Sequence, residues 1–578
     1  MTAELPEGLG PPLAPESWQT WWDLHESSIV GLRAAVRATR VTTPSGDGGG
    51  SGFPEVLIRE RILPALLEEL DRAPGAERTS AVLLALGRIG DRALDHPEWS
   101  STFALLVDHL DHADRSVTGN AALALGVLGA PSAAPVLVGL LQDSEAGRTS
   151  IGRGSVPDVL RARAAYALGL VAEGSRITDL RTYASRALVA AARAEEPAID
   201  VQVAASAALG VAWRADGPAP EEVVAVLSEL LADTARHDFV RAQAGASLGR
   251  LGAGASAEAR ALASSTVLAV LDGREASQFV RRGILRSLGP LLAASDGVDA
   301  VRGRALLLDA MRSGDAPSRA FATLACADLA REESISGTAP AERESIESLL
   351  RRELAQSKAL DRPWLALALG LVGRRLSLEG RELEPESASA LSAVVGHERS
   401  RETLPALVLA AGLASVDGVR ERLLAELDHA ADGSYAALGL GFLGGAGGIE
   451  VLRAELEEAD HRPLRMNRIA SALALLGDAE LVPELLRILA RCGCDRSSVT
   501  LAYTLGHTGD ARVVGPLIAM LDDEAASDRK RAWASYALGL AADRRELPWV
   551  ARYATQVDYL DAPPSLMSPY GGALLDQR

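Results

Sequence analysis

The chain has 578 residues, 48% of them apolar but only 4% aromatic, and carries a formal net charge of −18. So few aromatics leave a core of Ala, Leu, Val and Gly, which suits closely packed helices, and the acidic total argues against broad nucleic-acid binding and for basic or neutral partners. Three cysteines are too few for a disulfide framework, and no segment has the length and apolarity of a membrane span.

From the N-terminus, MTAELPEGLGPPLAPESW lacks the basic start and apolar core of an export signal. It reads as the start of a cytoplasmic chain, exported only if a signal upstream is missing from this sequence. Trp18, Trp21 and Trp22 follow, then the helix-like SSIVGLRAAVRA. Residues 1–41 are expected to form an aromatic cap over the open edge of what comes next, or an anchor for a partner. The stretch 42–54, TTPSGDGGGSGFP, is a flexible Gly/Ser linker.

Residues 55–545 then repeat one phrase, an Ala-rich helix ending in Leu-Gly: NAALALGVLG at Gly126, RAAYALGLVA at Gly169, ASYALGLAA at Gly539. The other full copies end at Gly87, Gly210, Gly249, Gly289, Gly370, Gly439 and Gly506, and degenerate ones at Ala325, Gly412 and Ala474. Successive anchors lie 39, 43, 41, 39 and 40 residues apart, then 36, 45, 42, 27, 35, 32 and 33. A period of roughly 30–45 residues is two helices and two turns. Asp238 and its counterparts Asp114, Asp158, Asp200, Ser277, Ser318, Asp361 and Asp528 stand where a helix N-cap belongs. Pro135, Pro483 and Pro516 suit the first turn of the partner helix. The anchor glycine has two candidate roles, close backbone contact or a left-handed helix end.

The pattern Asp-x-x-Val-Arg-x-x-Ala-x-x-x-Leu-Gly resembles the second helix of a HEAT repeat. GDARVVGPLIAMLDDEAASDRKRAWASYALGLA resembles the shorter HEAT-like repeat named after phycobilisome lyases. The resemblance implies an all-α, right-handed α-α superhelix of about 12–13 helical hairpins, of the armadillo-like class. It implies little about activity, because such repeats serve unrelated functions.

Three polar interruptions stand out: 143–157, with Arg148 and Arg153 as a weak anion candidate, 331–345 and 374–400. Arginines recur near the start of the second helix: Arg163, Arg241, Arg281, Arg319, Arg468 and Arg531. Stacking would align them as a ladder that pairs with acidic caps and carbonyls, or as a basic strip for an acidic partner. His109 and His112 share a helix face, and Cys492-x-Cys494 and Cys326 complete the soft ligands, but no set of metal ligands converges. His25-Glu26 and His397-Glu398 are the only His-Glu pairs, and they lie outside the repeat position that HEAT-like deoxyhypusine hydroxylases use for iron. At the C-terminal end, 546–578, Trp549, Tyr553, Tyr559 and Tyr570 are dense, and Pro563 and Pro564 break any helix, which suggests a cap helix and an extended tail that packs back on the array.

The sequence thus points to a non-catalytic, cofactor-free protein-binding scaffold that grips a partner along its curved face. The binding candidates are Trp18, Trp21, Trp22, the six ladder arginines, Trp549, Tyr553 and Tyr559. A lyase-type enzyme or chromophore handler, and nucleic-acid binding through an arginine strip, are the alternatives.

Overall fold

Each Leu-Gly phrase lies inside a helix, and thirteen such helices follow one another from Ala76–Ile89, which carries Gly87, to Asp528–Ala542, which carries Gly539. The computed structural model describes residues 14–38, 53–72, 75–195, 198–213, 220–273, 275–336, 344–428, 433–459, 462–545, 548–554, 557, 559–560, 563–567 and 574–575. Most of the 42–54 linker therefore lies outside the described residues, as do Tyr570 and the middle of 331–345. Among the described residues there is no strand, only an isolated bridge between Ala93 and Ser101.

The two roles foreseen for the anchor glycine fall to two different glycines. No anchor glycine has a positive φ, whereas Gly90, Gly129 and Gly509, three residues further on, do. The second glycine ends the helix and the first lets the next helix approach. A Cβ at Gly87 would fall 2.7 Å from the Ala124 carbonyl, and one at Gly370 2.8 Å from the Ala410 carbonyl. The receiving residue stands two places before the next anchor: Ala124, Ala167, Ala208, Ser247, Ser287, Ala410 and Ala537. Ala-Leu-Gly is therefore a two-sided joint, receiving the previous helix at Ala and the following one at Gly. In the Gly433–Leu443 helix the joint is shifted by two residues: Gly439 receives Gly412, and Gly441 makes the forward contact with Ala472.

The array closes. Gly539 packs on Ala85 of the Gly87 helix through the same joint, so the last repeat covers the first and the thirteen helices form a ring. Ion pairs reinforce the seam. Glu69 is fully buried and accepts from Arg531 at 2.8 Å, Arg72 at 3.1 Å and Arg78, while Arg78 also reaches Asp528 at 3.0 Å. Arg88 donates to Tyr536 at 2.6 Å and faces Asp543 at 3.4 Å, and Arg544 pairs with Glu55 at 2.8 Å.

The Leu-Gly helices are the inner layer, and each has an outer helix behind it. An outer helix such as Leu481–Arg491 buries Leu481, Val482, Leu485 and Ile488 along one stripe. The inner helix Ile199–Ala212 buries every residue from Val201 onward. A helix apolar on all sides needs cover on all sides, so something must cover the inner face as well. The polar stretch 374–400, read as an interruption, is ordered: it finishes the Arg362–Leu378 helix and forms the outer helix Pro385–His397.

Of the residues assigned as N-caps, Asp114 and Ser277 accept the capping bond. His237 and Ser527 cap instead of Asp238 and Asp528, and Asp315 rather than Ser318 accepts at its helix start. Asp158, Asp238 and Asp528 sit one place further in, in the first turn, where a negative charge faces the positive helix end.

Candidate functional site

The chain's own ends cover the inner face. Helix Trp18–Val30 and the short helices Leu32–Ala38 and Trp549–Ala554 lie inside the ring. Trp18 packs on Tyr435 with centroids 4.8 Å apart, and Trp21 meets Trp364 edge-on at 6.3 Å. Trp22 is fully buried and donates its indole N–H to Glu26 at 2.8 Å. From the other end, the Tyr553 hydroxyl donates to the Tyr166 carbonyl at 2.5 Å, and Tyr559 packs edge-on against Phe321 at 6.0 Å. Trp549 is fully buried as well. The aromatic ends were expected over the open edges of the array. A closed ring has no such edges, and the exposed apolar surface left to cover is its interior.

Buried arginines bolt these ends in place. Arg468 donates to Asp23 at 2.6 Å, to Glu26 at 3.2 Å and to Ser434 at 3.2 Å, and lies 4.0 Å above the Tyr435 ring. Burial opposes its charge, but Tyr435, Glu26 and Asp23 outweigh burial and raise its pKa. Burial raises the Glu26 carboxyl above its ordinary range, against the pull of Arg468. Arg286 contacts His25 Nε2 at 2.9 Å, donates to the Ala554 carbonyl at 2.6 Å and lies 5.1 Å from the Tyr559 ring, so it touches both ends of the chain. Arg33 donates to the carbonyls of Leu540 (2.5 Å), Gly506 (3.5 Å) and Asp543, satisfying the C-terminal ends of two inner helices. Burial lowers its pKa to about 10.

The ladder arginines do not form one strip. Arg241 donates to the Leu231 carbonyl at 3.2 Å, and Arg281 to Leu271 at 2.9 Å and Gly273 at 2.6 Å, at the ends of the outer helices before them. Arg319 bridges the Gly314 carbonyl and Asp361, both at 2.9 Å. In the Gly169 helix Arg161, not Arg163, makes the equivalent bond, to the Leu141 carbonyl at 2.9 Å, while Arg163 is half-buried, with its pKa lowered to about 10 by desolvation. Arg531 serves the seam and Arg468 the interior. In the 143–157 segment Arg148 pairs with Asp143 at 2.8 Å, which holds that carboxyl down at about 2.

The sequence reading missed Glu69, Arg33, Arg88, Arg286 and Asp543. Glu69 falls on the apolar stripe of LPALLEELD with Leu66 and Leu70, while Glu68 and Asp71 point to solvent, and that position was its only signal. His109 and His112 are spent locally: His109 Nδ1 lies 2.8 Å from the Leu105 carbonyl, and His112 Nδ1 accepts from the Asp114 amide at 3.0 Å. Cys494 accepts from the Ser497 amide at a helix start, and burial pushes the Cys326 thiol up to about 12. No group of three or more metal-ligating side chains occurs among the described residues.

Residues 63–169 match the family model for HEAT repeats. The chain carries HEAT repeats. The small-residue joint within that match recurs at most of the remaining helices of the ring. No curated protein matches. Many solved structures resemble the chain in part, three of them as follows. One concerns Kap95p binding and the switch loops of RanGDP, at 11% identity and TM-score 0.35, covering 88% of this chain and 66% of that one. This HEAT-repeat chain thus spans just under two thirds of that structure's length. An engineered protein matches at 18% identity and TM-score 0.27, covering 76% of this chain and 98% of that one. Importin beta in an ammonium sulfate condition matches at 13% and 0.26, with coverage of 89% and 77%. Among the described residues, no helix is long and apolar enough to cross a membrane.

Proposed function

We propose that this chain is a non-catalytic protein-binding scaffold whose partner sits on the outer helices and rims, not on the curved inner face. The observation that carries this reading is the burial of the inner face by the chain's own ends. Asp23, Trp21, His25 and Arg33 on one end and Tyr553 and Tyr559 on the other occupy the surface an open superhelix would offer. What remains is the outside. There, Val298 is 82% exposed, and Val301 and Leu262 are exposed on the neighbouring outer helices Gly297–Ser313 and Ala257–Asp272. Large apolar side chains left in water are the usual anchors of protein contacts. A basic strip for nucleic acid finds no support in arginines already bonded to carbonyls and carboxylates.

The test is cross-linking of the tagged full chain to the protein it captures, with mapping of the linked residues. Links on the outer helices, and loss of the partner from a Val298→Asp/Val301→Asp variant that melts like the parent, are the expected outcome. Links on the inner helices of the intact chain would show that the partner displaces the ends, and would overturn the reading.

A further inference from the structure

The thirteen joints are not equal. The sparsest contact between successive inner helices is that of Pro463–Leu475 with Asp495–Thr508. The first carries Ala474 where ten others carry Leu-Gly, so the following helix stands off. The short Leu32–Ala38 helix bridges both from inside the ring, and a cavity of about 170 Å³ is left beneath it.

We propose that this cavity binds a small flat aromatic molecule carrying one negative group, an aryl carboxylate. Its walls are Val499, Tyr503 and Trp533 from the ring and Leu24, Val30 and Val550 from the chain ends. Tyr503 lies 4.4 Å from the His507 ring and 5.8 Å from that of Trp533, each edge-on, which forms a continuous aromatic wall. An apolar cavity of about 150 Å³ accepts benzene, so the space suits one ring with a short substituent. Val499 to His507 spans eight residues of helix, about 12 Å of wall.

The two ends differ in charge. At one, Asp23 and Glu26 are satisfied by Arg468 and Trp22. At the other, Arg33, Arg88 and Arg545 surround Asp543 and the ring of His507. There, His507 Nε2 and Arg88 Nε are buried with no hydrogen-bond partner in the structure. Two unanswered nitrogens beside an excess of arginine call for an acceptor oxygen, and a buried polar group without one costs about 1–3 kcal/mol. Burial together with Arg33 and Arg88 holds the imidazole neutral, with a pKa near 3, so its Nε2–H tautomer donates to a carboxylate without carrying a charge. Leu464, exposed at the edge of the cavity, marks its mouth.

The experiment titrates the full chain with phenylacetate, its neutral isostere phenylacetamide, and phenethylamine, by calorimetry and ligand-observed NMR. Phenylacetate is expected to bind saturably and roughly ten-fold or more tightly than the amide, and the amine not at all. His507→Leu should erase the preference for the acid, and Leu464→Glu, at an exposed position that leaves the fold intact, should weaken the acid alone. No saturable binding of phenylacetate, equal binding of acid and amide, tighter binding of the amine, or phenylacetate binding untouched by either substitution would each overturn the proposal. None of these outcomes bears on whether the outer helices hold a protein.

Discussion

The seam between the Gly539 and Gly87 helices and an internal joint such as Gly210 on Gly249 use the same small-residue contact but different surroundings. At the internal joint the two helices are about 40 residues apart, and the outer layer adds an exposed pair, Arg193 with Glu229 at 2.5 Å, 44% and 58% exposed. At the seam, partners such as Arg78 and Asp528 lie about 450 residues apart, and the contact is backed by a fully buried carboxylate among three arginines. Loop-closure entropy grows as (3/2)RT ln n, so joining the ends costs about 2 kcal/mol more than joining neighbours. The difference teaches where a ring must be strongest: the chain secures its neighbours covalently, and only side chains secure its ends.

The largest effect that would break this contrast is Glu69→Gln. Removing one partner from a buried ionic cluster typically costs about 3–5 kcal/mol, so denaturation should show a loss of that order, with a rise in the solution radius of gyration by small-angle scattering. Next come Gly539→Leu and Gly249→Leu. Each overpacks one joint, at about 1–3 kcal/mol, but only Gly539→Leu should expand the particle, because the internal joint stays tethered on both sides. An equal expansion in both would mean the seam is an ordinary joint.

A pH series sharpens the comparison inside the ring, where His507 stands close to the seam residues Arg88 and Asp543. Its folded pKa, near 3, lies below the unfolded value of about 6.5. The unfolded chain therefore binds one more proton between those values, and stability falls as the pH drops through that window. The slope is about 1.4 kcal/mol per pH unit. His507→Gln should flatten it by that amount between pH 6 and 4 in urea melts, and an unchanged slope would place the imidazole in water. The smallest effect is Glu229→Gln, expected to lie within about 0.5 kcal/mol of the parent, as exposed pairs usually do.

The helical hairpins and their thirteen anchors were legible because an Ala-rich, Leu-Gly-ended helix recurring every 27–45 residues has one physical reading. The closure was not legible: the aromatic ends were read as caps over the open edges of an array. Ala85 precedes the first anchor with no earlier glycine to receive, and Gly539, the last anchor, has no later alanine to meet. An open array would leave the same two halves unmatched, so the pattern alone does not separate a ring from a superhelix. The better signal, unused in the sequence reading of an open curved face, was that inner helices such as Ile199–Ala212 have almost no polar face. The arginine bolts were hidden because Arg33, Arg286 and Arg468 act on partners hundreds of residues away, such as Leu540, His25 and Asp23. Their local setting resembles that of surface arginines. The cavity depends on Ala474, one substitution in a repeated phrase, whose consequence appears only when its neighbours are in place.

Because the Gly539 helix rests on Ala85 as its neighbours rest on one another, the repeats must share one full revolution. Divided among thirteen joints, that is about 28° of rotation each. An open superhelix tolerates an extra unit or a missing one at either end. Here twelve units would fall short of a revolution and fourteen would overshoot it, so copy number is locked by angle. Length can therefore change freely only in the turns between helices, where it leaves the rotation from one unit to the next unaltered.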